Sequence, residues 1–306
     1  MIATKAARCV YAARGRGLID FALRRTQGVD AGMAVARNTY LAGFDGTSNV
    51  LAARIYGIPA AGTMAHSFVQ VFENEKEAFE AYARSFPDRT ILLIDTYDTL
   101  QGAALAVEVA RKMAVAGHAL VGVRLDSGDL IALSRQVRAI FDAAGMPEVK
   151  IFASSGLDEY GVDRVIQSGA AIDAFGVGTK VGVSADLPFL DMVYKLVRYD
   201  DRDVRKLSPG KQTLAGEKQI FRRMDDKGRY QEDVIGTRNE TDGRGQPLLE
   251  TVMQAGRITR PLPSLEDIRQ SFRADFEKLP ERYKRLSQPA AYPVRLSSAL
   301  KALQKS

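Results

Sequence analysis

Between residues 18 and 180, short apolar or β-branched runs end in polar or glycine-rich loops, and amphipathic segments with helical spacing follow them. The runs are LIDFAL (18–23), YLAGF (40–44), PAAGT (59–63), TILLID (90–95), ALVGVRL (119–125), VKIFAS (149–154) and AIDAFGV (171–177). Between the later ones lie TLQGAALAVEVARKMAVAG and LIALSRQVRAIFDAAG, each closed by a glycine where a helix C-terminus needs positive φ. Strands alternating with helices predict a parallel sheet. Seven such units in succession predict a TIM-like α/β barrel, complete or incomplete, rather than an open doubly wound sheet.

Near Leu190 the pattern changes. FLDMVYKLVRYDDRDVRKLS and KQIFRRMDDKGRYQEDVIGT read as extended segments joined by polar turns such as DDKG (225–228). Helical spacing returns in SLEDIRQSFRADFEKL (264–279), with Ser264 placed to cap it. The expected organisation is a barrel core over 1–189, then a smaller antiparallel β-rich segment with C-terminal helices over 190–306.

Composition narrows the class. No apolar run approaches the ~18 residues a membrane-spanning helix requires. The basic N-terminus lacks the apolar core of a signal peptide. A single cysteine, Cys9, excludes an internal disulfide, so a cytoplasmic chain is expected. The net charge of +6 lies almost wholly in residues 277–306, where seven basic residues face two acidic ones. A basic tail without a recognition motif or zinc spacing is a solvated surface, so neither nucleic acid nor membrane is expected as partner.

In a parallel α/β barrel, reactive groups belong at the C-terminal ends of strands. Here those ends carry Arg24-Arg25, DGTSN (45–49), MAHS (64–67), DTYDT (95–99), RLDSGD (124–129), SSGLDE (154–159) and GVGTK (176–180). Each also has a structural reading. DTYDT suits a helix N-terminus, RLDSGD an internal ion pair, and the small-residue loops tight turns. GVGTKVG fits neither a Walker loop nor the dinucleotide fingerprint. Of the two histidines, His118 precedes a strand, away from the rim, and reads as structural; His66 lies on the rim. Together, small-residue loops able to cradle phosphate, acidic strand ends, arginines and one histidine suit a phosphorylated sugar substrate. The carboxylates could serve Mg²⁺ or ribose hydroxyls.

The ordered set LIDFALRR, GFDGTSN, AGTMAHSF, DTYDT, RLDSGDL, ASSGLDEY and FGVGTK, with KLSPGKQTLAGEKQIFR (206–222) after it, resembles the nicotinate phosphoribosyltransferase family. The resemblance runs through most of residues 2–223. It implies condensation of nicotinate with phosphoribosyl pyrophosphate (PRPP) to nicotinate mononucleotide and pyrophosphate in NAD biosynthesis. ATP hydrolysis would drive the reaction through transient phosphorylation of His66. A neutral imidazole is a competent phosphoryl acceptor.

By position, the resemblance implies that Asp95 and Asp126 act on Mg²⁺–pyrophosphate, ribose hydroxyls or the developing oxocarbenium charge. Arg24 and Arg124 would contact the nicotinate carboxylate or phosphates. Ser67, Ser155-Gly156 and Gly178-Thr179 would complete substrate binding, the last two pairs at the ribose 5-phosphate. Ser48 would favour the acid, because the aspartate of nicotinamide-using relatives at this position would repel a carboxylate.

The resemblance also implies a homodimer with shared active sites. It further implies an additional N-terminal segment whose TDxYxLTM-type stretch stacks an aromatic ring on nicotinate. This chain begins at a point that lies inside the family's chains, and Ala215 stands where the family has proline. Alternative expectations are therefore a truncated, inactive relative or partner subunit that binds PRPP, or a nicotinamide or quinolinate phosphoribosyltransferase. Ser48 speaks against nicotinamide, and the ATP-linked GTMAHS stretch against quinolinate.

Overall fold

The computed structural model describes residues 1–305 and forms two compact units, Met1–Phe189 and Leu190–Ser306. The first holds six parallel strands: β1 (Gly17–Asp20), β2 (Gly46–Thr47), β3 (Ile91–Leu93), β4 (Gly122–Leu125), β5 (Lys150–Ala153) and β6 (Ala174–Val177). Its helices are α1 (Ile2–Ala13), α2 (Val29–Leu41), α3 (Val50–Tyr56), α4 (His66–Gln70), α5 (Glu75–Ser85), α6 (Thr99–Val115), α7 (Leu130–Ala143), α8 (Glu159–Gln167) and the single turn α9 (Thr179–Gly182).

The spatial strand order β2-β1-β6-β5-β4-β3 is the cyclic order of a β/α barrel opened between β2 and β3. The result is a curled half-barrel sheet. Two sequence-predicted strands are therefore corrected. In YLAGF, Tyr40 and Leu41 finish α2, and Gly43, at φ 119°, ends that helix before β2 begins at Gly46. PAAGT contributes only one bridge, Thr47 to Ala60, because the chain then leaves the sheet toward α4.

The strands are nearly all apolar because helices cover one face and the curled interior the other. Leu92, Leu93, Val123, Leu125, Ile151 and Phe175 are fully buried. Helix ends are set by local chemistry. Asp98, Asp129 and Asp158 each accept a backbone N–H from the first turn of α6, α7 and α8. Behind α6 and α7, Gly117 and Gly145 adopt positive φ, and the next residue donates back to Met113 and Phe141, at 2.9 Å in both cases. This is the Schellman closure, and it returns the chain sharply to the next strand. A buried charge cluster ties α1 to α8, with Glu159 accepting from Lys5 at 3.0 Å and Arg8 at 2.9 Å.

In the second unit, β7 (Arg198–Tyr199) and β8 (Arg202–Asp203) form a hairpin. Strands β9 (Lys218–Met224), β10 (Tyr230–Thr237) and β11 (Gly245–Pro247) form an antiparallel sheet. Its face carries cross-strand pairs, Arg222 with Asp233 and Arg223 with Glu232, both at 2.9 Å. Strands β12 (Met253–Gln254) and β13 (Arg257–Ile258) form a second hairpin. Helix α10 (Leu265–Lys278) starts with the Ser264 cap expected from sequence, completed as a capping box by Asp267. After α11 (Glu281–Lys284), the strand β14 (Val294–Leu296) joins β10 in parallel, and α12 (Ser298–Leu303) follows. The extended pairing of 294–296 was not legible in the sequence, since three residues carry no period. Among the described residues no helix is long and apolar enough to cross a membrane.

The contact that sets α6 on the sheet gives a test. A Cβ on Gly102 would lie 2.2 Å from the Ile94 carbonyl oxygen, so the helix cannot sit this close with any larger residue. Gly→Ala inside a helix ordinarily stabilises by up to ~1 kcal/mol. Gly102→Ala should instead destabilise by roughly 1–3 kcal/mol in urea denaturation.

Candidate active site

The strand ends of the first unit surround a cleft of about 840 Å³. It is lined by ten of the eleven residues marked out in the sequence: Arg24, Ser48, His66, Ser67, Arg124, Asp126, Ser155, Gly156, Gly178 and Thr179. Asp95, the eleventh, is absent from the lining.

Ser48 is positioned by a buried carboxylate. Asp20, at the end of β1, accepts from the Ala22 N–H at 2.8 Å and from the Thr47 hydroxyl at 2.7 Å, and its carbonyl receives the Ser48 N–H at 2.8 Å. Asn49 then caps α3 through the Ala52 N–H. Adjacent strand ends are thereby locked, with Ser48 between them.

Phe21 was not singled out in the sequence. Its N–H donates to the Val177 carbonyl at 2.8 Å, and its ring lies where a side chain on Gly176 would stand, 2.5 Å from an ideal Cβ. The ring also lies 5.8 Å from the Arg124 guanidinium carbon. The signal was available: in LIDFALRR an aromatic residue directly follows a strand-terminal aspartate, a position that opens on the rim.

Arg124 reaches from β4 across to the segment before α4, where it donates to the Met64 carbonyl at 2.9 Å. Its Nε is buried and unpaired. Burial pushes the guanidinium pKa down, while Asp126 and Asp95 act in the opposite sense and Arg24 adds to the fall. A cation that is desolvated yet only partly satisfied is prepared for an anionic ligand.

His66 opens α4. Its Nε2 faces Asp126 Oδ2 at 3.5 Å, and its Nδ1 lies 3.2 Å from the Thr96 hydroxyl. The Ser154 hydroxyl donates to the other oxygen of Asp126. Behind this row, Asp95 Oδ2 accepts the Asp126 N–H at 2.8 Å and the Ser127 hydroxyl at 2.6 Å. Asp95 therefore shapes the loop that presents Asp126. Beyond Ser154 the backbone is strained: Ser155 has φ 114°, outside the ordinary range for a residue with a side chain, and Gly156 follows at φ 60°. His118 stays outside the cleft, with Nδ1 2.9 Å from Asp88.

The carboxylates thus divide. Asp98, Asp129 and Asp158 are helix caps, whereas Asp126 faces the cleft and Asp95 stands behind it. Among the described residues no group of three or more His, Cys, Asp or Glu side chains gathers into a metal site. The donor set fits a Mg²⁺ that arrives with substrate phosphates and needs only one or two carboxylates. Asp126 is available on the cleft wall, and Asp95 Oδ1 is a buried oxygen with no donor.

The fold and cleft define a β/α-barrel protein with an imidazole, a desolvated guanidinium and small-residue loops converging at the strand ends. Residues 17–197 match the nicotinate phosphoribosyltransferase (NAPRTase) family, and residues 241–304 match the nicotinate phosphoribosyltransferase C-terminal domain. The chain belongs to the nicotinate phosphoribosyltransferase family.

It is similar to a nicotinate phosphoribosyltransferase of Mycobacterium tuberculosis, with 47% identity over 302 residues covering 98% of this chain and 64% of that one. It is also similar to the Bacillus subtilis nicotinate phosphoribosyltransferase, with 36% identity over 327 residues covering 97% of this chain and 66% of that one. The crystal structure of human nicotinic acid phosphoribosyltransferase superposes with a TM-score of 0.87 at 30% identity, covering 99% of this chain and 73% of that one. The chain thus spans about two thirds of the length of these curated relatives.

Glu75 supplies a pH-dependent test. It begins α5, is buried, and has an oxygen without a donor. Burial, reinforced by the negative charges of Asp95 and Asp98, raises its pKa from 4.5 to about 7. The folded protein therefore binds a proton that the unfolded chain releases between these values, and stability falls as pH rises through that window. Glu75→Gln should remove this loss. Relative to wild type it should gain roughly 2–3 kcal/mol in urea denaturation between about pH 5 and about pH 8.

Proposed function

We propose that this chain catalyses the ATP-coupled condensation of nicotinate with PRPP, giving nicotinate mononucleotide and pyrophosphate, with His66 transiently phosphorylated. The observation that carries this reading is the convergence of His66, Asp126 and Arg124 with the Ser155-Gly156 and Gly178-Thr179 loops in one cleft. Family membership supports it.

In this reading an imidazole nitrogen of His66 attacks the γ-phosphorus of ATP. The new N–P bond forms as the bond to the β-phosphate oxygen breaks, and ADP leaves. The pyridine nitrogen of nicotinate then attacks C1 of PRPP while the C1–O bond to pyrophosphate breaks, and water later releases phosphate from His66. Asp126 faces the positive charge that develops on the ribosyl carbon, and Arg124 faces the anions. Arg24 and Ser67 contribute further contacts at the cleft wall. Phe21 offers its ring face to the pyridine. The Ser155-Gly156 and Gly178-Thr179 loops receive the 5-phosphate through backbone N–H groups. Mg²⁺, held by Asp126 with Asp95 behind it, would neutralise pyrophosphate charge. Ser48 presents a neutral hydroxyl to the nicotinate carboxylate. Sharing of this cleft across a homodimer, and a cytoplasmic location, belong to the same reading.

Incubation with γ-³²P-ATP and Mg²⁺ tests the phosphoryl step. Acid-labile, base-stable label should appear on the wild-type chain, be absent from His66→Ala, and discharge on addition of nicotinate and PRPP. A folded wild-type chain that takes no label overturns the reading. Ser48→Asp should lower kcat/KM for nicotinate by roughly a hundredfold or more. The same substitution should improve nicotinamide as substrate, which competing-substrate assays would read directly.

A further inference from the structure

Thr96 lies directly after Asp95 and was marked out by neither the sequence reading nor the reaction. Its hydroxyl is 3.2 Å from Nδ1 of His66, while the opposite ring nitrogen faces a carboxylate oxygen of Asp126 at 3.5 Å. The second oxygen of Asp126 is held by the Ser154 hydroxyl. One polar row thus runs from the end of β3, through the ring at the start of α4, to the ends of β4 and β5.

The chemistry of these groups fixes where the proton sits. An ionised carboxylate only accepts, whereas a hydroxyl can donate or accept. A neutral imidazole carries one N–H, so the arrangement that satisfies both neighbours places it on Nε2, toward Asp126. Nδ1 then bears the lone pair; the resting Thr96 hydroxyl donates to it and turns its proton away when that nitrogen attacks phosphorus.

We infer that Thr96 is a positioning residue, which with Asp126 holds His66 in one orientation and in the Nε2–H tautomer. This deepens the reading of His66 as phosphoryl acceptor and rests on it for its functional meaning, though the tautomer is measurable without any reaction. Removing the hydroxyl leaves the ring anchored on one side only. It can then rotate about its side-chain torsions away from Asp126, and once that contact is broken it samples both tautomers. A misplacement of about 1 Å at a reacting atom can cost on the order of a hundredfold in rate.

With only two histidines in the chain, ring-¹⁵N histidine labelling gives a readable spectrum. A His118→Gln variant, altered outside the cleft, identifies the His66 signals. At about pH 8.5, above the ordinary imidazole range, wild-type His66 should show a protonated Nε2 and an unprotonated Nδ1. Thr96→Val should give a mixture of tautomers, and Thr96→Ser should restore the single form. A wild-type ring protonated on Nδ1, or a Thr96→Val spectrum equal to wild type, overturns the inference. Should Thr96→Val not fold, Thr96→Ala removes the same hydroxyl and is read in its place, while a wild-type ring protonated on Nδ1 overturns the inference without any variant.

The labelling kinetics separate this inference from the reading beneath it. Thr96→Val should slow acid-labile phosphorylation by up to about a hundredfold, with recovery in Thr96→Ser. A fixed tautomer in a chain that takes no label would sink the phosphoryl reading and leave the positioning role standing. Acid-stable label that vanishes in Thr96→Val would make Thr96 itself the acceptor and end its role as a positioning residue.

Discussion

The hydrogen bond from Arg124 to the Met64 carbonyl, 2.9 Å long, is the constraint on which the rest of the cleft depends. The half-barrel is open between β2 and β3, and among the described residues the chain that passes between them pairs with the sheet only through the Thr47–Ala60 bridge. On one side the passage is tied to the sheet by the exchange between Thr47 and residues 59–61, with the Thr47 N–H on Pro59 and the Ala61 N–H on Thr47. On the other side Arg124 holds the backbone two residues before His66. A buried guanidinium thus does work that a ladder of backbone bonds does elsewhere in the sheet, while its unpaired Nε remains for a ligand.

This arrangement links stability to chemistry. Burying Arg124 costs solvation, and the single carbonyl it meets satisfies only part of its donor set. An anion in the cleft would complete that set and strengthen the same clamp that places His66. The strained backbone at Ser155 points the same way, since an unfavourable φ persists where surrounding contacts impose it. Phe21 and Gly176 complete the wall by exclusion, because a side chain on the glycine would displace the ring.

Much of this was legible in the sequence for reasons that can be named. Strands β3 to β6 stood out because fully buried parallel strands are continuous apolar runs bounded by glycine and polar turns. The rim followed from the rule that such folds present chemistry at strand ends, and it placed ten marked residues on one cleft. YLAGF misled because a helix end and a strand share apolar content, and only the positive φ of Gly43 separates them. In DTYDT the structural and functional readings both hold, on different residues: Asp98 caps α6, while Asp95 organises the Asp126 loop. Thr96 and Glu75 escaped notice because their meaning lies in contacts with residues distant along the chain. No local spacing encodes those contacts.

The sequence resemblance and the structure meet at the same residues, but the reaction itself stands as a proposal for a chain that spans about two thirds of its curated relatives. The most direct measurement is product formation. Purified chain would be supplied with nicotinate, PRPP and Mg²⁺, with and without ATP, and nicotinate mononucleotide followed by chromatography. The account predicts nucleotide in both cases, with ATP raising yield or rate and ADP appearing alongside. No nucleotide from a folded chain under either condition would contradict it.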